Sequence, residues 1–213
     1  MHWQVVFTDE ARQEFNQLPA REQSAMIHAL DKLAAEGPAY PHSSAVRSAD
    51  RLREPRLRAG RSAWRALYRR VGEVFVVAAI GPEAQADKRG FGRAVSAAQT
   101  RLDLIEEEPD MKHSELTSAD EVKAEALRNP AVRAEWDRTA VAREVASRVV
   151  RYRVEHGLSQ AELGAKLGVS QPYVARLESG DQTPTLATLA RLAQRLGLEF
   201  HIDVTPTNVR ITA

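Results

Sequence analysis

The string from Leu158 to Gly180, LSQAELGAKLGVSQPYVARLESG, constrains the fold of this chain more than any other stretch. Ser159 followed by Glu162 is a capping box, so a helix opens there and runs to Leu167. Gly168-Val169 interrupts it with a tight turn, since glycine accepts the left-handed backbone that ends a helix. Ser170 then stands where an N-cap is needed and Pro172 falls in the first turn, so a second helix begins at Gln171 and stops at Gly180. Leu163, Leu167, Val169, Val174 and Leu177 recur at helical spacing. Helices this short are marginal alone and need neighbours to cover their apolar faces. The spacing predicts those neighbours: a helix ending near His156 with the stripe Val141, Val145, Val149 and Tyr152, and another over Leu186–Leu196. Leu198 to Val204 alternates and predicts a strand.

Two short helices joined by a glycine turn describe a helix-turn-helix, whose second helix enters the DNA major groove N-terminus first. Gln171 and Tyr173 occupy its first turn and Arg176 follows one turn later. Gln pairs with adenine and Arg with guanine in that groove, each worth about 1–3 kcal/mol of discrimination. Ser170 at the cap adjoins them, and Gln160, at the start of the preceding helix, is placed to bond a phosphate or to brace Gln171. The plain alternative is that Gln160, Ser170, Gln171, Tyr173 and Arg176 are solvated side chains of a helical bundle; the ordered string outweighs it.

The chain has 213 residues, enough for two domains of about 100 each. Leu104 to Asp110 runs out into acids and a proline, a plausible boundary, and Met111 could open a second protein. Before it, the pattern predicts a strand at His2–Phe7, helices over Asp9–Leu18 and Arg21–Glu36, strands at Arg51–Arg58, Ala63–Val71 and Glu73–Ile80, and a helix over Gly90–Ile105. After it, Ser118 and Glu121 predict a short helix to Leu127, and Asn129-Pro130 starts a longer one with a break near Arg138-Thr139.

The net charge of +1 hides a local bias. Arg51 to Arg70 holds eight arginines (51, 53, 56, 58, 61, 65, 69 and 70) against one acid, Glu54, a net +7 in twenty residues. Such a run is usually a solvated face, but these are all arginine, which suits phosphate. Lys88 and Arg89 begin the last helix of this half, where backbone N–H groups favour anions. There is no cysteine, no signal-peptide pattern and no apolar run longer than Val74–Ile80, and the six histidines do not pair at ligand spacing. A cytoplasmic protein with no cofactor, metal or membrane partner is expected.

The stretch Leu158–Gly180, with Thr183-Pro184-Thr185-Leu186 after it, closely resembles the Cro/lambda-repressor-like (XRE-type) family, over about 65 residues from Val141 to Val204. Its flanks, W-D-R at Trp136–Arg138, R-Y-R at Arg151–Arg153 and the trailing Leu198–Pro206, resemble HigA-type antitoxins. Residues 1 to 106 resemble the RelE/HigB toxin superfamily, through P-H-S-S-A-V (Pro41–Val46), L-R-E-P-R-L-R (Leu52–Arg58), W-R-A-L-Y (Trp64–Tyr68) and a last helix ending A-A-Q-T-R-L. That resemblance implies metal-independent mRNA cleavage on the ribosome, with Arg65 on the scissile phosphate and Arg56, Arg58 and Arg89 near other basic positions. The sequence departs from it where E-L-R becomes Glu54-Pro55-Arg56 and where Gly81–Gln85 replaces a Lys-Lys pair. No His or Tyr stands clearly as general acid or base; Tyr68 is equally a core residue and His42 a loop residue.

Together these readings predict an α+β chain. Its parts are a toxin-like small antiparallel sheet with helices over 1–106, a linker at 107–117, an antitoxin helical segment at 118–140, and an all-α helix-turn-helix bundle with a short trailing strand at 141–206. They imply a homodimer that reads palindromic operator DNA, with the toxin half packed against and silenced by the antitoxin half. The alternatives are a transcriptional regulator with a catalytically inactive RelE-like half, two separate proteins joined at Met111, and a ParE-like gyrase poison.

Overall fold

The computed structural model describes residues 3–40, 42–47, 49–55, 57, 61–107, 116–205 and 208–212. Arg56, Arg58, His2 and most of the expected linker at 107–117 lie outside the described residues. The chain is of the α+β class and divides into two compact units, Met1–Glu135 and Trp136–Ala213.

In the first unit, β1 (Gln4–Phe7) buries Val5, Val6 and Phe7 and pairs in parallel with β5 (Val74–Pro82). Buried on both faces, the two strands read as apolar runs rather than as alternation. Thr8 ends β1 and caps α1 (Asp9–Asn16), its Oγ1 accepting from the Ala11 N–H at 3.2 Å. Pro19 precedes α2 (Ala20–Glu36), which buries Met26, Ile27, Leu30 and Leu33. The chain then builds β2 (Ser43–Ala45), β3 (Arg53–Pro55) and β4 (Trp64–Val71), each antiparallel to the next, with β4 antiparallel to β5. α3 (Lys88–Glu107) lays Val95, Ala98 and Leu102 on the sheet face that carries Leu67, Val76 and Ala78. The expected strand at Arg51–Arg58 shortens to three residues, because Pro55 can enter a ladder only where it need not donate; it stands opposite Ser43 of β2.

Beyond 115 the chain returns to this unit. β6 (Thr117–Ser118) pairs antiparallel with β1, Val6 opposite Ser118 and Phe7 opposite Thr117, giving the sheet order β2-β3-β4-β5-β1-β6. Ser118 and Glu121 form the anticipated capping box of α4 (Ala119–Ala126), which buries Val122 and Ala126. Lys123 meets Asp31 of α2 at 2.6 Å, and Arg12 of α1 meets Glu125 at 3.5 Å. These pairs are partly exposed and contribute modestly; the buried Val122 holds α4 more firmly. The unit boundary falls inside the next helix, α5 (Pro130–Arg138).

Within the second unit, Thr139 leaves helical geometry between α5 and α6 (Ala140–Glu155), at the expected break. α7 (Gln160–Leu167), α8 (Gln171–Ser179) and α9 (Leu186–Leu196) follow. Val145, Val149, Leu163, Leu167, Val174, Leu177, Leu189 and Leu192 make one core among these helices. The trailing strand is β7 (His201–Thr205), joined antiparallel by β8 (Asn208–Thr212), a partner not anticipated. Among the described residues no helix is long and apolar enough to cross a membrane.

Candidate nucleic-acid interface

The turn between α7 and α8 sets the reading surface. The α7 capping box forms as expected: Ser159 Oγ accepts from the Glu162 N–H at 3.2 Å and the Glu162 carboxylate accepts from the Ser159 N–H at 2.7 Å. That bond holds the Glu162 carboxyl below its ordinary pKa. Gly168 ends α7 in the left-handed region at φ 69°. Gly164 lets the helices close: a Cβ there would stand 2.8 Å from the Val169 carbonyl oxygen and 3.5 Å from the Gln171 nitrogen. The sequence places both glycines, but only the structure shows that Gly164 is a contact point.

At the start of α8, Ser170 holds the N-cap backbone conformation, yet its side chain makes no cap hydrogen bond and is exposed. Its hydroxyl is thus open to an anion, the usual backbone-positioning contact with DNA, whereas Pro172 has no N–H and the N–H groups of Tyr173 and Val174 donate to the Ser170 carbonyl at 3.0 and 3.2 Å. Gln171 and Arg176 are exposed. Tyr173 is half-buried, its hydroxyl 2.9 Å from Thr188 Oγ1 on α9, so it is committed to packing more than the sequence implied.

A chain of polar contacts runs from the core to this surface. Glu178 on α8 is fully buried and Arg153 on α6 is 4% exposed. The guanidinium donates from Nε to Glu178 at 2.5 Å and from Nη2 at 3.1 Å, while Nη1 donates to the Leu158 carbonyl at 3.0 Å. Gln160 Nε2 donates to the same carboxylate at 2.8 Å, and Gln160 Oε1 accepts from Gln171 Nε2 at 2.7 Å. Gln160 therefore braces Gln171, one of the two roles the sequence allowed. Arg153 and Glu178 were missed as a pair; the arginine stands in R-Y-R and the acid in L-E-S-G, 25 residues apart, and only the fold brings them together.

The arginine-rich stretch of the first unit is distributed differently. Arg65, Leu67 and Arg69 alternate onto the sheet face that α3 covers. Arg65 is 4% exposed: Nη1 donates to the carbonyls of Ser62 (2.7 Å) and Trp64 (2.8 Å), Nη2 to Glu83, and Nε lies 3.8 Å from Glu54. Arg69 is paired with Asp103 and Glu106, Arg51 with Glu106, and Arg70 with Glu73. Four of the eight arginines, 51, 65, 69 and 70, thus meet acids that the fold brings up from α3, β3, the β4–β5 turn and the end of β5. Arg89 is exposed, but Asp87 Oδ1 already accepts from the Gly90 N–H at 2.9 Å, so the start of α3 carries its own carboxylate. Tyr68 is buried; its hydroxyl meets Ser43 Oγ at 2.6 Å, and burial raises its pKa despite that bond and the nearby Arg53 charge. Burial thus makes this phenol a weaker acid than an ordinary tyrosine.

Comparison with known proteins agrees with this division. Residues 149–202 match a family described as Helix-turn-helix, and residues 13–80 match one described as Phage derived protein Gp49-like. An uncharacterized HTH-type transcriptional regulator of Sinorhizobium fredii is 48% identical over 64 residues, which cover 30% of this chain and 83% of that protein. No solved structure matches the chain. The chain therefore belongs to the HTH-type transcriptional regulators and carries a Gp49-like domain ahead of its helix-turn-helix.

Proposed function

We propose that this chain is a toxin–antitoxin-type regulator: a homodimer in which the second unit reads a palindromic operator in its own promoter and the Gp49-like unit is a toxin held silent by the segment that follows it. The exposed N-terminal end of α8 carries the reading, with Gln171 fixed by Gln160 and Arg176 exposed, 5.9 Å from the Tyr173 ring and in no ion pair among the described residues. Gln171 and Arg176 are the base readers, and Ser170 is a phosphate contact. Selection of DNA by the full chain from a random pool checks this. The expected product is a palindrome with half-sites about one helical turn apart; recovery of unrelated sequences removes the proposal.

For the first unit, β6 and α4 support silencing in cis: they come from the antitoxin-like side of residue 107 yet complete the sheet edge at β1 and pack on α2. Burying a carboxylate at Val122, through Val122→Asp, would detach α4. Expression of the wild-type chain is expected to leave growth unchanged. The Val122→Asp chain should arrest growth, with mRNA cleaved, and Arg65→Ala in the same chain should relieve the arrest. A specific observation favours a second reading: the Arg65 guanidinium is buried against Glu83 and Glu54 rather than presented to a substrate. On that reading the Gp49-like unit serves assembly and cuts nothing, and Val122→Asp leaves growth unchanged.

A further inference from the structure

Arg53 stands apart in the arginine-rich stretch. Arg51, Arg65, Arg69 and Arg70 each meet a carboxylate, whereas Arg53 meets none among the described residues. Its neighbour Glu54 turns to the opposite face of β3 and lies 3.8 Å from Arg65. Arg53 is exposed, yet its guanidinium is held: Nε donates to Ser43 Oγ at 3.0 Å and Nη2 to the Ser43 carbonyl at 3.2 Å. Those two bonds occupy the Nε–Nη2 side of the planar fork. The Nη1 end, with the second Nη2 hydrogen, makes no hydrogen bond among the described residues. An arginine gripped along one side and open at its end is set to take a second group bidentately.

Ser43 is fixed in turn by Tyr68. The phenol, 1% exposed, donates to Ser43 Oγ at 2.6 Å, and burial keeps its proton bound at neutral pH. Ser43 Oγ therefore accepts twice, from Tyr68 and from Arg53, which fills both its lone pairs and leaves its own hydrogen to donate elsewhere. Ser43 lies on β2, Arg53 on β3 and Tyr68 on β4, so three neighbouring strands rather than a loop carry the trio. Arg53 stands opposite Tyr68 in the ladder, and β4 turns Tyr68 away from the face that holds Arg65, Leu67 and Arg69. What the trio still offers is a hydroxyl hydrogen and the open end of a cation. Donors alone, around a fixed positive charge, suit an oxyanion, and the arginine end matches a pair of phosphate oxygens.

We propose that Ser43 and Arg53, with Tyr68 behind them, form an anion site that holds a backbone phosphate of single-stranded RNA, on the face of the sheet opposite Arg65. The proposal rests on the reading of the Gp49-like unit as one that acts on RNA, and it gives that unit a substrate-binding group away from the buried Arg65. Arg53 touches the phosphate. Ser43 orients Arg53, and Tyr68 is a positioning residue that acts through Ser43.

Fluorescence anisotropy of a labelled single-stranded RNA without a terminal phosphate, titrated with the full chain, is the test. Arg53→Ala is expected to weaken binding by about ten- to a hundredfold, the effect of losing charge-assisted hydrogen bonds. Arg53→Lys should lose nearly as much, because an ammonium cannot hold Ser43 along one side and a phosphate at its end. Ser43→Ala and Tyr68→Phe should act in the same direction, more weakly. Arg70→Ala, which removes an exposed charge from the same unit, should leave the affinity unchanged. A wild-type chain that does not bind the RNA overturns the proposal, as does an affinity that Arg53→Lys retains. So does RNA that inorganic phosphate or polyglutamate displaces as readily as unlabelled RNA does. Variants that lower the unfolding temperature of the first unit yet bind RNA as the wild type does reduce the trio to a latch between β2 and β4, and also overturn it. Failure of the toxin reading looks different: the Val122→Asp chain then leaves growth unchanged while Arg53→Ala still weakens RNA binding. If the anion site alone is wrong, the Val122→Asp chain arrests growth and adding Arg53→Ala does not relieve it.

Discussion

Replacing Glu178 by alanine is expected to destabilise the second unit by about 3–5 kcal/mol, the usual cost of removing one partner from a buried ion pair. Glu178 is fully buried, and Arg153, itself 4% exposed, would be left with a single carbonyl contact, to Leu158. Gln160 loses its acceptor at the same time. Urea unfolding followed by far-UV circular dichroism reads the effect, as a loss of the helical transition of residues 136–213 at much lower denaturant. The paired replacement Arg153→Met with Glu178→Leu should recover most of the loss, because two apolar side chains need no partner. An Glu178→Ala chain that unfolds at the wild-type midpoint would show that the pair holds nothing together.

The second large effect is on DNA. Arg176→Ala and Gln171→Ala should each weaken binding to the selected site by about 1–3 kcal/mol, roughly 5- to 150-fold, and relax the preference at one base position in each half-site. Gln160→Leu should act in the same direction and more weakly, because it touches Gln171 rather than a base; it frees the Gln171 amide that Gln160 now holds at 2.7 Å. Tyr173→Phe should change little, since the hydroxyl faces Thr188. Arg65→Ala, in the other unit, should leave DNA affinity unchanged. Titrations of fluorescent duplex at fixed salt check all five; an Arg176→Ala chain that binds with wild-type affinity and preference would remove Arg176 from the interface.

How far the sequence discloses this molecule depends on the kind of signal each element leaves. The helices of the second unit are marked by caps and apolar spacing, and α9 follows Leu186–Leu196 to the residue. The break at Thr139 falls where the polar run Asp137-Arg138-Thr139 interrupts the pattern. β2 and β6 are not marked. They are two or three residues long and made of Ser, Thr and Ala, and they exist because β3 and β1 present edges that need partners. β8 could have been found: Val209 and Ile211 alternate within N-V-R-I-T, and Pro206 marks the turn before it. The arginine run shows the larger gap. A linear count of +7 takes no account of Asp103 and Glu106, which lie a helix away in sequence and beside Arg69 in space. The exposure of Gln171 and Arg176 was legible because a helix fixes which side chains share its outer face, whereas Arg65 depended on which carboxylates the fold would bring to it.

The central claim is that the Gln171 end of α8 enters the major groove. Methylation interference at guanine N7 tests it directly, because that atom lies on the major-groove edge of the base. With the full chain on its selected palindrome, N7 methylation is expected to block binding at one or more guanines in each half-site, and Arg176→Ala to abolish the interference at one of them. Binding that tolerates N7 methylation throughout both half-sites, or a selected site that the chain holds equally well after Gln171 and Arg176 are both replaced by alanine, would contradict it.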